Sequence, residues 1–347
     1  MQRLFNWRRT VFALALLTAV VLAGGLAVTR ASSAASPVTS HVRGRVRIWL
    51  IHYRAHNGAV RLAYLDLPRW YGPGDHPPLP LVISPHGRGS TPAANSALWG
   101  NLPELGRFAV VNPQGQGRRL VLYSWGDRGQ IADLALMPLL VRRALPWLRI
   151  DSRRIYAVGA SMGGQEALLL LARYPHLLAG VAAFDPPTDL GRRYADFRLL
   201  QCTPGCRRRW PERFDHGTFG EQVQALARFE IGGTPATVPG AYAARSPLAY
   251  ARALAFADVP LQIWWSRADN VVVDQRHQSG LLYRRIKRLN PAAPVQQFVG
   301  DWPHASEMTV QTKLPTALIK LGLLSPGSAP ARHSSPPAAS VPPCRCR

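Results

Sequence analysis

The sequence predicts an α/β fold with a mostly parallel central sheet and helices on both faces. Three observations carry that prediction. Short β-branched runs alternate with longer helical patterns through the middle of the chain, the rhythm of strand–helix–strand units. The runs Leu79 to Ser84, Leu178 to Phe184 and Leu261 to Trp265 are compact and apolar, as strands buried on both faces must be. Strand ends also carry turn residues, as in Pro85-His86-Gly87 and Asn112-Pro113.

Taken in order, Val46 to Tyr53 and Val60 to Leu67 read as an opening antiparallel pair, followed by the Leu79 strand and a strand over Phe108 to Val111. A helix is expected over Ile131 to Leu148, a strand over Arg154 to Val158 and a helix over Gln165 to Tyr174. After the strands ending at Phe184 and Trp265 come a helix over Gln275 to Lys287 and a strand over Val295 to Val299. The last element is a helix over Glu307 to Leu321, interrupted by Pro315. The stretch from Pro186 to about Asp258 breaks the rhythm. It is rich in Pro, Gly, Arg and aromatic residues and reads as a cap insertion over about 187–258.

The flanks differ from this block of about 42–324. Arg3, Arg8 and Arg9 precede an uncharged run from Val11 to Val28, which small residues follow through Ser36. Residues 1–35 therefore read as a signal peptide or a signal anchor, with 36–41 as a linker. Either form puts the remainder outside, secreted or on the outer face of the cytoplasmic membrane, with membrane contact only through a possible N-terminal anchor. Residues 325–347 are rich in Pro, Ser and Ala and are expected to be disordered. Cys202 and Cys206 flank a Thr-Pro-Gly turn and suit a small disulfide loop in an oxidising compartment. Cys344 and Cys346 are too close for an easy bond to each other, and the four spacings are unusual for zinc.

The formal charge of +23 invites a nucleic-acid reading. Against it, only Lys287, Lys313 and Lys320 are lysines, the arginines are scattered, and no zinc-finger or aromatic RNA-binding motif is present. Arginine excess beside abundant Ala, Gly, Pro and Leu is what a GC-rich coding sequence produces. No nucleic-acid partner is expected.

Chemistry concentrates where the strand-like runs end. Ile155 to Val158 leads into Gly159-Ala160-Ser161-Met162-Gly163-Gly164, and a helical pattern follows at once. This is G-x-S-x-G in the strand–turn–helix setting that exposes a nucleophilic serine. Asp269, in the loop after the Trp265 strand, is the expected orienting acid, with Asp185 and Asp274 as rivals. His304, in the loop after the Val299 strand, is the expected general base; His277 lies in a helical pattern beside Arg276. Met162 N–H and Arg88 N–H are the expected oxyanion donors, with Gly87 and Gly89 flanking the latter and His86 shaping the loop. Trp210, Phe214, Phe219 and Arg207-Arg208-Arg209 in the insertion are placed to select substrate.

These residues resemble the α/β-hydrolase superfamily. The run from Ile150 to Tyr156 into Gly159-Ala160-Ser161-Met162-Gly163-Gly164 is similar to secreted esterases and polyhydroxyalkanoate depolymerases, a branch that shades into prolyl-oligopeptidase-type catalytic domains. The resemblance implies a Ser161, Asp269, His304 triad that cleaves carboxylic esters through an acyl-enzyme, with no metal or organic cofactor. A small ester or a short peptide is the implied substrate. Arg88 departs from the pattern, standing where many lipolytic relatives have another Gly. A serine peptidase using the same triad and a catalytically silent surface-binding protein are the alternatives.

Overall fold

A computed structural model describes residues 38–200 and 218–328. The expected N-terminal signal or anchor, all four cysteines, Trp210, Phe214, the Arg207–Arg209 triplet and nearly all of the Pro-rich tail lie outside the described residues. The strands are β1 (Thr39–Arg43), β2 (Val46–Arg54), β3 (Val60–Pro68), β4 (Leu79–Ile83), β5 (Ala109–Pro113), β6 (Ile150–Ala160), β7 (Gly180–Phe184), β8 (Leu261–Ser266) and β9 (Val295–Gly300). They form one sheet in the order β1-β2-β3-β5-β4-β6-β7-β8-β9. The first three and β5 pair antiparallel, and everything from β5 to β9 is parallel.

The helices are α1 (Pro92–Trp99), α2 (Leu102–Gly106), α3 (Arg128–Ala144), α4 (Met162–Arg173), α5 (Leu190–Phe197), α6 (Phe219–Ile231), α7 (Pro239–Ala243), α8 (Ala251–Ala255), α9 (Ser279–Leu289), α10 (Ser306–Thr309) and α11 (Leu314–Lys320). Alternation along the central strands divides the core in two. Leu81, Ile83, Val111, Ala157, Val181 and Ile263 face a cluster with residues of α3, α4, α8 and α9. Val82, Val110, Val158, Phe184 and Trp264 face a second cluster with Trp99, Leu102, Leu314 and Leu318. The residues from Met162 to Leu171 are all buried, which explains the unbroken apolar run from Ala167 to Leu171.

Four sequence expectations need correction. The sheet starts at Thr39, inside the stretch read as a linker, because β1 pairs along the edge of β2. The closing helix is two helices, α10 and α11. Pro315 sits in the first turn of α11, where its missing N–H costs nothing. The helix expected from Gln275 begins as a single 3-10 turn, Gln275–His277, before α9. Lastly, α8 lies within the stretch read as a cap, yet Ala251, Leu254 and Ala255 belong to the main core. The helices α1 and α2, each opened by a proline at its N-terminus, were not expected from the sequence.

Helices α5, α6 and α7 build a satellite core of Leu190, Phe197, Val223, Ala227, Ile231 and Tyr242 around Trp125. One carboxylate ties this layer to the sheet. Buried Glu230, near the end of α6, accepts from the successive backbone N–H groups of Arg118, Arg119 (2.8 Å) and Leu120 (2.8 Å). Arg245 stands 3.5 Å from it and also pairs with Asp127 at 3.0 Å. Among the described residues no helix is long and apolar enough to cross a membrane. Replacing Glu230 with Ala orphans three N–H donors and removes one of the two carboxylates beside the buried Arg245 guanidinium. The Glu230→Ala chain is expected to lose about 3–5 kcal/mol of stability in urea unfolding.

Candidate active site

Parallel strands deliver their C-terminal ends to one edge of a sheet, and the groups with reactive potential collect there. The loop after β4 carries His86, Gly87 and Arg88. Ser161 follows β6, Asp185 follows β7, Asp269 follows β8 and His304 follows β9. The sheet order β4-β6-β7-β8-β9 therefore sets these groups side by side although 218 positions separate the first from the last.

Ser161 sits between β6 and α4 with φ 57° and ψ −127°, a sparsely populated conformation for a non-glycine residue. Its N–H donates to Phe184 O at 2.8 Å, and its own carbonyl accepts from Gln165 N–H at 3.0 Å. The turn is possible only because its neighbours lack side chains. A Cβ on Gly163 would lie 2.1 Å from Pro85 O, and one on Gly159 would lie 2.6 Å from the Gly163 carbonyl. Met162 heads α4, where the first N–H groups have no intrahelical acceptor.

His86 is buried and fixes the loop opposite. Its Nδ1 donates to Gly87 O at 2.8 Å and its Nε2 accepts from Gly115 N–H at 2.7 Å. Burial pulls its pKa down to about 4, so it braces the loop as a neutral imidazole. Gly89 N–H and Ser90 N–H are taken by Leu122 O and Gly87 O. No described hydrogen bond takes Gly87 N–H or Arg88 N–H, so this loop has N–H groups to offer.

Asp269 and His304 meet directly, with Asp269 Oδ2 2.8 Å from His304 Nδ1. The carboxylate is itself held by Val271 N–H and Val272 N–H at 2.8 Å each and by Gln275 Nε2 at 3.0 Å. Burial opposes its ionisation, but the His304 charge and these donors outweigh burial and hold its pKa below the ordinary carboxylate value. For His304, burial pulls downward while Asp269 and then Asp185 push upward, and the result is a raised pKa. No hydrogen bond joins Ser161 to His304 among the described residues. Ser161 and the Val271-Val272 pair nonetheless line one small cavity.

The rivals for the acid and base resolve differently. Asp274 and His277 pair with each other at 2.8 Å, half-exposed, while Asp274 also holds Arg192. Asp185 is fully buried and takes a bracing position instead of pairing with His304. It accepts from Ser266 N–H (2.9 Å), Ala305 N–H (2.9 Å) and Trp302 Nε1 (3.2 Å), clamping both sides of His304. Ser266 adds a second clamp, since its Oγ accepts from Trp302 N–H at 2.8 Å and donates to Trp302 O at 2.6 Å. Neither role leaves a sequence signal, because each depends on which strand lies next to which.

Asp185, Asp269 and His304 offer ligand atoms within 4.8 Å of one another, close enough to share a metal ion. Their carboxylate oxygens each accept from one or more N–H donors already. An NMR titration tests the Asp269–His304 contact. His304 is expected to titrate above its ordinary value of 6.5 in the native chain, and lower in Asp269→Asn.

Searching known protein families finds no match for this chain. A 110-residue stretch, 30% of the chain, is 31% identical to poly(3-hydroxyalkanoate) depolymerase C of Paucimonas lemoignei and spans 27% of that protein. Among solved structures, the acylaminoacyl peptidase of Pyrococcus horikoshii matches 80% of the chain and 42% of its own length, at 15% identity and TM-score 0.55. An esterase of Pyrococcus furiosus matches 83% of the chain and 97% of its own length, at 16% identity and TM-score 0.53. An S-formylglutathione hydrolase of Agrobacterium tumefaciens matches 80% and 97%, at 12% identity and TM-score 0.53. The chain has the α/β-hydrolase fold.

Proposed function

We propose that the chain is an exported serine hydrolase that cleaves carboxylic esters, with Ser161 as nucleophile, His304 as general base and Asp269 as orienting acid. The observation that carries this reading is the strained Ser161 turn on the same sheet edge as the 2.8 Å Asp269–His304 pair. A hydroxyl held in a strained turn at a helix N-terminus, near an imidazole whose tautomer a buried carboxylate dictates, is the constellation for acyl transfer. The esterase likenesses support an ester substrate, and the N-terminal charge and apolar pattern supports export.

The steps follow from the positions. Ser161 Oγ attacks the ester carbonyl carbon while its proton passes to His304 Nε2. The developing oxyanion takes hydrogen bonds from Met162 N–H and Arg88 N–H. The C–O bond to the alcohol breaks, and the alcohol leaves with the proton from His304. Water then adds to the acyl-enzyme, gives a proton to His304, and the acid departs as Ser161 recovers its proton. Asp269 stays ionised throughout and steadies the imidazolium. Ser161 and His304 must close to hydrogen-bond distance in the substrate complex, as such pairs commonly do.

The serine-peptidase reading uses the same atoms and finds support in the acylaminoacyl peptidase likeness, so the substrate separates the two. A fluorophosphonate probe is expected to label the native chain and not Ser161→Ala. A short p-nitrophenyl ester should be hydrolysed and a dipeptide anilide left intact; faster anilide turnover would establish the peptidase. Absence of labelling in the folded native chain rejects both. Asp269→Asn is expected to lower kcat by about 10⁴ through the wrong imidazole tautomer. Because only neutral His304 accepts the Ser161 proton, kcat/KM should rise with pH through the raised His304 pKa. In Asp269→Asn that rise should move to lower pH.

A further inference from the structure

The reaction just described leaves one buried acid without a task. Glu307 lies in α10, three positions after His304, and is fully buried. Its own carbonyl accepts from Lys313 N–H at 2.8 Å, which fixes the backbone there. Neither of its carboxyl oxygens receives an N–H or hydroxyl donor from the described residues. The other acids buried among those residues, Asp66, Asp133, Glu166, Asp185, Glu230 and Asp269, are each met by at least one such donor. What Glu307 meets is another carboxyl, that of Asp185.

An ionised carboxylate sealed from water without a donor is among the costliest groups a fold can bury. Two ionised carboxylates side by side cost more still, so one of such a pair keeps a proton. The surroundings decide which. Asp185 accepts from Ser266 N–H, Ala305 N–H and Trp302 Nε1 and lies near His304, all of which favour its anion. Glu307 has no such support, and burial followed by the Asp185 charge pushes its pKa up to about 10. The titratable groups gathered here are Asp185 at the end of β7, Asp269 after β8 and His304 after β9. Arg193 of α5 is the cation that acts on His304. A neutral carboxyl still has one hydrogen to place, and the Asp185 carboxylate is the acceptor beside it.

We propose that Glu307 is a positioning residue of the acyl-transfer site, a protonated acid whose O–H donates to Asp185 and holds it as the anion behind His304. The bond adds a fourth donor to the three N–H groups on Asp185. It also lets two negative charges rather than three gather around the imidazole. Glu307 acts on His304 only through Asp185 and keeps its proton throughout the cycle. The inference rests on the serine-hydrolase reading and adds a residue that tunes its base.

Two readouts test it. The infrared difference spectrum of the native chain minus Glu307→Gln at neutral pH is expected to show a protonated carboxylic acid stretch, above the amide band and shifted in D2O. In kcat/KM against pH, Glu307→Gln is expected to keep the native rise to within about 0.3 pH unit, because its amide N–H replaces the O–H. Glu307→Met has the bulk without the donor. Asp185 then binds a proton more readily, the charge behind His304 weakens, and the rise moves down by about half a pH unit or more. The NMR titration of His304 should follow the same order. An absent acid band overturns the proposal, as does a Glu307→Gln profile displaced downward together with that of Glu307→Met, the mark of an ionised Glu307. A Glu307→Met profile coincident with the native one overturns it too, since packing alone would give that result. If Glu307→Met does not fold, the infrared band and the Glu307→Gln profile decide. Failure of the hydrolase reading looks different: the fluorophosphonate probe does not label, while the acid band and the His304 titration remain.

Discussion

The close approach of β4 and its loop to the turn after β6 is the constraint on which the site depends. Pro85 O stands where a Cβ at position 163 would be, and the Gly163 carbonyl stands where one at 159 would be. Two glycines permit that contact, and the contact in turn holds Ser161 in a backbone conformation it would not adopt alone. The same approach sets the His86-Gly87-Arg88 loop against the N-terminus of α4. Ser161, the head of α4 and the loop after β4 are thus positioned by one packing event rather than by separate devices. The strain is sustained by α4, whose residues Met162 to Leu171 are all buried.

Placement of His304 follows a different logic. His304 lies on a loop, and loops move unless their backbone groups are satisfied. Here Asp185 reaches across from β7 to hold Trp302 Nε1 and Ala305 N–H, and Ser266 holds both polar groups of the Trp302 peptide backbone. Three adjacent strands therefore fix one imidazole. Asp269 orients it, and Asp185 adds negative charge behind it, which raises its pKa against the pull of burial. Burial also raises the pKa of Glu307, with Asp185 as the next contributor. A buried acid kept protonated beside Asp185 limits the charge gathered behind the histidine.

Electrostatics near the sheet edge is organised around buried guanidinium groups. Glu230 and Asp127 neutralise Arg245 and fasten the insertion to the loop that carries Trp125. Arg88 and Arg193 line the cavity beside Ser161. Arginine surplus across the whole chain hides such placements in any count of charges, because only burial and neighbours separate a surface guanidinium from one packed at the site.

The amino-acid sequence by itself determined the fold class, the strand-to-helix turn at Ser161 and the chain order of serine, acid and histidine. These are written in local terms: apolar runs of strand length, glycines flanking a serine, and an acid and a histidine just past two strand-like runs. It also marked the insertion through the loss of periodic pattern, though not that α8 returns to the main core, since a five-residue apolar helix reads the same in either place. Tertiary structure alone decided that Asp269 rather than Asp274 meets His304, that Asp185 braces the histidine loop, and that Arg88 and Arg193 share a cavity. Each of those facts depends on contacts between segments dozens of positions apart. Strand order and burial set such contacts, and no short window of residues records either.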